Sequence, residues 1–306
     1  VSTIAPSSAS ERSAHTLWGI VCVVVASACF ATLDTTSQLI GLAAPIVMVQ
    51  WLRYMIQTLS SAVVIAKSGE LRQLRITKPT LHIMRGLMML CTTMLGFSSL
   101  RYVPVADFTA IVMLTPLVVT LASTRLLGEH VPPLRWLLAA GGFVGVLIII
   151  RPLSQEFEPA VLLVLALVVM GAGFQILTAH MMRTESASHT HLSSGITGLI
   201  VMSCALPFFW QALPLKIWLL MGVVGLAAST GHLLLNLSFK RIPASVATPY
   251  LYSQMGFAAL GGWLVFGRAP DAYSWLGMAL VAICGVINAW LTLRESRTAP
   301  LAVPPQ

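Results

Sequence analysis

Asp34 and Arg53 each stand deep inside a stretch that is otherwise almost wholly apolar. A charge at the centre of a membrane-spanning helix costs roughly 2.5–3.5 kcal/mol, so each needs a partner or a task. Polar residues recur beside them at helical spacing. Gln50, Arg53 and Gln57 follow i, i+3, i+7 and share one helix face, as do Ser27, Asp34 and Gln38. At 1.5 Å per residue, Asp34 lies about 9 Å from the end of its stretch and Arg53 about 12 Å from the start of the next. Opposite signs at matching depth predict an Asp34–Arg53 ion pair, or a shared polar pocket. Two roles fit that pair: a clasp between neighbouring helices, or a site offering a zwitterionic solute one acceptor and one donor.

Other candidates are spread along the chain. Ser229, His232 and Asn236 share a face; His232 either titrates near neutral pH and couples protons, or hydrogen-bonds within the packing. Pro249 and Pro116 are expected to kink their helices and free backbone carbonyls. Thr115 offers a hydroxyl beside Pro116, and Tyr250 and Gln254 share a face while Tyr252 points elsewhere. Gln175 is a further polar residue within a span, His180 falls at the solvated interface, and Asp107 is placed to pair with Arg101. The candidate cavity set is therefore Asp34, Gln50, Arg53, Gln57, Thr115, Gln175, His232, Asn236, Tyr250 and Gln254, with Pro116 and Pro249 as kinks. His189 and His191 in "SHTH" read as a loop pair with too few ligands for a metal site. The five cysteines lie within apolar runs and show neither metal spacing nor a disulfide framework. No phosphate-cradling loop, nucleotide motif or catalytic triad occurs, so no cofactor, no metal and no ATP-driven step is expected.

The elements that must hold these residues follow from composition. Of 306 residues 57% are hydrophobic and 9% charged, against about 25% charged in a soluble domain. The apolar runs are long enough to cross a hydrocarbon core of about 30 Å. Ten spans are expected: 17–40, 45–66, 81–100, 105–127, 134–150, 160–180, 192–211, 215–238, 244–266 and 272–293. The net charge of +8 comes from basic residues in short loops, which fits membrane topology rather than nucleic-acid binding. With both termini cytoplasmic, thirteen of the 18 Lys and Arg fall inside, while Arg101, Arg151, Lys216 and Arg268 fall outside and Arg53 within a span. That bias also argues against reading the first span as a cleaved signal, despite an Ala-Ser-Ala near its end.

The chain repeats itself. A shift of 139 residues lays "SLRYVPVADFTA" on "SFKRIPASVATP" and matches Pro104 with Pro243, Thr109 with Thr248, Gly128 with Gly267, Gly86 with Gly225 and Trp136 with Trp275. The copies begin five spans apart, so the second crosses the membrane upside down relative to the first. Inverted repeats of this kind underlie many secondary transporters. The resulting division is a tail over 1–16, a first repeat over 17–152, a second over 153–293 and a tail over 294–306.

Pro104, Pro116, "LLGE" ending at Glu129, and a Gly-rich span closing at Arg151-Pro152 together resemble the first repeat of EamA-type members of the drug/metabolite transporter superfamily. The second repeat departs from the pattern: Arg268 stands where Glu is expected and Met255 where the first repeat has Pro116. The resemblance implies an all-α polytopic membrane protein with ten helices in a five-plus-five inverted repeat. It also implies a central cavity and export of small metabolites across a bacterial inner membrane, amino acids foremost, aromatic ones included. A nucleotide-sugar or cationic drug carrier is the alternative within the superfamily, and a channel or an intramembrane enzyme the alternatives outside it. The expected partners are a small-molecule substrate and the lipid bilayer, with no nucleic acid. A monomer is expected, since Gly141-x-x-x-Gly145 reads as internal packing, a homodimer seam being the alternative.

Overall fold

The computed structural model describes residues 9–68, 78–115, 117–119, 122, 133–151, 158–181, 187–239 and 250–298. Their regular structure is helical: α1 Ala9–Ile40, α2 Ile46–Ser68, α3 Pro79–Ser99, α4 Val105–Val112, α5 Pro133–Ile150, α6 Val161–Met181, α7 Ala187–Phe209, α8 Leu215–Phe239, α9 Ser253–Phe266 and α10 Ala272–Thr298. Helices are what such sequences allow, because a backbone in hydrocarbon must satisfy its own amides. Local signals fix some ends. Proline opens α3 and α5, where a missing N–H is harmless. Gly267 ends α9 at φ 66°, and its N–H and that of Arg268 bond back to Trp263 and Gly262.

Among the described residues seven helices are long and apolar enough to span a membrane: α1, α3, α5, α6, α7, α8 and α10. α2 has the length, at 23 residues, but Gln50, Arg53, Gln57 and Lys67 make it more polar. α4 and α9 are described over 8 and 14 residues. α1 and α10 run past the expected spans into the expected tails, to Ala9 and Thr298; Glu11, Arg12, Arg294 and Glu295 are adequate helix formers outside lipid. The "SHTH" histidines lie in α7, not in a loop, and Arg85, counted with the basic residues of the cytoplasmic side, is buried within α3.

The packing follows a definite plan. α1 lies against α8 and α9, α2 against α7 and α8, α3 against α6 and α7, α4 against α6 and α9, and α5 against α10. The largest apolar core joins α4, α5, α9 and α10 around Phe108, Val146, Met255 and Val281. The perimeter exposes large apolar side chains such as Leu137, Val169, Leu219 and Leu264, as a surface facing lipid should.

Three close approaches need glycine. A Cβ on Gly86 of α3 would lie 2.6 Å from Thr197 of α7, and one on Gly225 of α8 would lie 2.5 Å from Ile56 of α2. In the third, a Cβ on Gly141 of α5 would lie 2.8 Å from Cys284 of α10, and one on Gly145 would meet the Gly277 carbonyl at 2.9 Å and Leu280 at 3.3 Å. Gly141-x-x-x-Gly145 is thus spent inside the chain.

Candidate functional site

α1, α2, α3, α4, α6, α8 and α9 enclose a cavity of about 220 Å³. It lies toward the end of the bundle that carries the α1–α2 and α3–α4 turns, since its walls use residues 30–37 near the end of α1 and 50–53 near the start of α2. Phe30, Phe97 and Phe108 form apolar wall, and Thr92, Thr93 and Gly96 open the face of α3.

Its polar groups sit on opposite sides. On the α1–α9 side, Gln254 Nε2 donates to Asp34 Oδ2 at 3.1 Å. On the α2 side, Arg53 is 4% exposed and donates from Nη1 to Gln50 Oε1 at 3.3 Å, while Gln50 Nε2 donates to the Thr93 carbonyl at 3.1 Å. Gln50 is thereby fixed at both ends of its amide. Arg53 also lies 5.2 Å over the Tyr54 ring, and its Nε is buried without a hydrogen-bond partner. The expected Asp34–Arg53 ion pair does not form: the salt bridge found among the described residues joins Arg151 to Asp271. Gln254 holds Asp34, Gln50 holds Arg53, and the cavity lies between them. The pocket is shared; the clasp is absent.

At the cavity floor His232 packs edge-on to Phe30 at 5.0 Å and tilts against His191 at 5.6 Å between ring centroids. Beyond it the helices are sewn together. Gln57 Nε2 donates to the His191 carbonyl at 3.4 Å, and Ser60 and Ser229 hydroxyls meet at 2.5 Å. Arg85, 7% exposed, donates from Nε to Thr178 Oγ1 at 2.8 Å and from Nη1 to the Thr190 carbonyl at 3.0 Å and Ser194 Oγ at 2.5 Å. Phe174 covers its guanidinium at 4.6 Å.

The structure brings Asp34, Gln50, Arg53, His232 and Gln254 to one cavity. It does not bring the rest. Gln57 is buried beyond the floor, Thr115 Oγ1 donates to its own helix at Val112, and Gln175 is exposed on the outside of α6. The tyrosines are exchanged: Tyr250 is 38% exposed, whereas Tyr252 is 7% exposed and donates to the Met113 carbonyl at 3.4 Å. Asp107 faces Ser274, Asp271 and Arg151, not Arg101, which donates to the Ala44 carbonyl instead. Pro116, Pro249, Glu129 and Pro243 lie outside the described residues, as does the side chain of Asn236. No group of three or more His, Cys, Asp or Glu able to hold a metal occurs among the described residues. Sequence reading left Arg85 and the three phenylalanines out of the site and read His191 as a loop residue; Phe30 was the findable one, four residues before Asp34 and so on its face.

Residues 17–151 and 158–290 each match the model of the EamA-like transporter family. The chain is 26% identical to the riboflavin transporter of Vibrio cholerae, over 94% of this chain and 98% of that one. It is 25% identical to the S-adenosylmethionine uptake transporter of Rickettsia bellii, over 68% and 72%. It is also 25% identical to the pseudopaline exporter of Pseudomonas aeruginosa, over 87% and 93%. A solved structure superposes with a TM-score of 0.64 at 19% identity, covering 92% of this chain and 99% of the other, which establishes a common fold.

Proposed function

Since the chain belongs to the EamA-like transporter family and is a multi-pass membrane protein, we propose that it carries a small metabolite joining an aromatic or heteroaromatic ring to a polar end. The observation that carries this reading is one cavity with Phe30, Phe97 and Phe108 on its walls and Asp34, Gln254, Gln50 and Arg53 on opposing sides. Rings pack on the phenylalanines, and the polar end bridges carboxylate and guanidinium. An aromatic amino acid meets those terms with its ammonium toward Asp34 and its carboxylate toward Arg53. A flavin is the second reading, supported by the riboflavin transporter from Vibrio cholerae and by two others, from Brucella anthropi and Rhizobium johnstonii, at 26–28% identity. Its imide edge both donates and accepts hydrogen bonds.

Transport proceeds by alternating access between inverted halves, α1–α5 and α6–α10. Support comes from the contacts, which map onto themselves when the halves are exchanged. α1 with α8 becomes α6 with α3, α1 with α9 becomes α6 with α4, and α2 with α8 becomes α7 with α3. The glycines obey the same rule: Gly86 against α7 answers Gly225 against α2, and Gly141–Cys284 answers Leu280–Gly145 under the 139-residue shift. The positive-inside bias puts both termini in the cytoplasm of a bacterial inner membrane, with the cavity toward the outside. Relatives named for uptake and for export share this plan, so gradients set the net direction. Export of the substrate is the direction the family resemblance favours.

The test is counterflow in liposomes holding the purified protein, loaded with unlabelled tryptophan or riboflavin and given the labelled form outside, with and without a pH gradient. Accumulation of one label supports the reading and names the branch. Accumulation of neither contradicts it.

A further inference from the structure

Charge within the helices is unevenly distributed. Arg53 and Arg85 are both buried, at 4% and 7% exposure. Among the described residues, the carboxylates that fall within the apolar spans are Asp34 and Asp107. Asp107 is turned toward Ser274, Asp271 and Arg151, which leaves Asp34 as the carboxylate close enough to feel Arg53, and none is shown beside Arg85. Every hydrogen-bond acceptor around Arg85 is neutral: Thr178 Oγ1, the Thr190 carbonyl and Ser194 Oγ. Between the two arginines lie His191 and His232, both close enough to feel both charges. Adding a proton to either imidazole would crowd a further positive charge into this space. An incoming anion would relieve it.

Of the two arginines and two histidines, Arg53 and His232 reach the cavity. Arg53 donates from Nη1 to Gln50, and its buried Nε lacks a partner. A buried charged donor left unpaired is strongly unfavourable, and a guanidinium fork suits carboxylate and phosphate oxygens. Gln50, tied to the Thr93 carbonyl, sets the plane in which Arg53 presents its remaining N–H groups.

We infer that the floor of the cavity, Arg53 backed by His232, is a site for an anionic group of the transported solute, a carboxylate or a phosphate. This rests on the transporter reading above and narrows it: the solute enters as a zwitterion or an anion, and a neutral ring compound lacks the group the site demands.

Three probes of one ring and different charge test it: sodium benzoate, phenyl phosphate and benzamide, at matched ionic strength, read by the thermal unfolding midpoint of the purified protein in detergent. Ligand binding to the folded state at about 100-fold above its Kd should raise the midpoint by roughly 5 °C. The expected result is a rise with benzoate, phenyl phosphate or both, little with benzamide, loss of the rise in Arg53→Gln and retention of part of it in Arg53→Lys. Which anion gives the larger rise tells carboxylate from phosphate. Equal rises with benzamide and the anions, or an undiminished rise in Arg53→Gln, overturn the anion site. Counterflow of tryptophan or riboflavin alongside equal rises would leave the transporter reading standing without this site. An anion-selective rise without counterflow would support the site and count against the proposed substrates.

Discussion

At the scale of single residues, the account turns on separated opposite charges. Asp34 and Arg53 were legible in the sequence because each breaks an apolar run at a depth that helix geometry fixes. Gln50 was legible as a neighbour of Arg53, three residues away on one face of α2, whereas Gln254 was not legible as the partner of Asp34, because it meets Asp34 only once α9 is placed against α1. Arg85 was missed for a different reason: it falls near the cytoplasmic start of the expected span 81–100 and was counted with the basic residues of that side, whereas α3 starts six residues earlier, at Pro79, and buries it. Gln175 shows the reverse error, a polar residue assumed to face inward that the fold leaves exposed. Asp34→Asn keeps an acceptor for Gln254 and removes only the charge. It should reduce counterflow at least tenfold, equivalent to about 1.4 kcal/mol or more, with the unfolding midpoint little changed. Unaltered counterflow would leave Asp34 a packing residue. Outside the membrane, the Ser274 backbone N–H, 2.7 Å from Asp271 Oδ1, holds the Asp271 carboxyl below its usual range, with Arg151 adding to the effect. A depressed carboxylate stabilises the fold above its ordinary pKa of 3.8 and loses that contribution as pH falls below it. Because Asp271 is largely exposed, Asp271→Asn should cost at most about 1 kcal/mol at neutral pH, and less as the pH drops through 4. Unfolding at pH 7 and pH 3.5 checks both the size and the sign.

At the scale of elements, the seams decide what can move. α5 and α10 meet backbone to backbone at Gly145 and Gly277, a contact that allows no side chain. Gly145→Val should destabilise by about 1–3 kcal/mol, the usual cost of overpacking, seen as a lower midpoint; a neutral effect would mean the seam is looser than described. The Gly-x-x-x-Gly spacing was readable, but its partner helix was not, because spacing says only that something comes close. Arg85 makes the other decisive seam by tying α3 to α6 and α7. Arg85→Gln removes that fork and should favour opening of this end. With Ser194→Cys as reporter, labelling by a membrane-impermeant maleimide from the side on which α3 begins should rise severalfold over the same reporter with Arg85 intact. Unchanged labelling would show that the tie does not hold this end shut.

At the scale of the whole molecule, the membrane class and the span order were legible because lipid permits so few backbone solutions. Among the described residues ten helices fall on the expected stretches, and seven of them are long and apolar enough to span a membrane; of the others, α2 carries polar cavity residues, and α4 and α9 are described over only 8 and 14 residues. The repeat was visible as a single offset because proline and glycine matches tolerate little drift. Which faces meet in the middle was not visible, and the contact exchange between halves now supplies it. The central claim is that solute crosses through the Asp34–Arg53 cavity. Counterflow of labelled tryptophan and riboflavin in liposomes, compared between the unaltered protein and Arg53→Gln at equal reconstitution and equal unfolding midpoint, tests it most directly. The account predicts counterflow of one of the two in the unaltered protein and at least a tenfold loss in the variant. Equal counterflow in both proteins would contradict it.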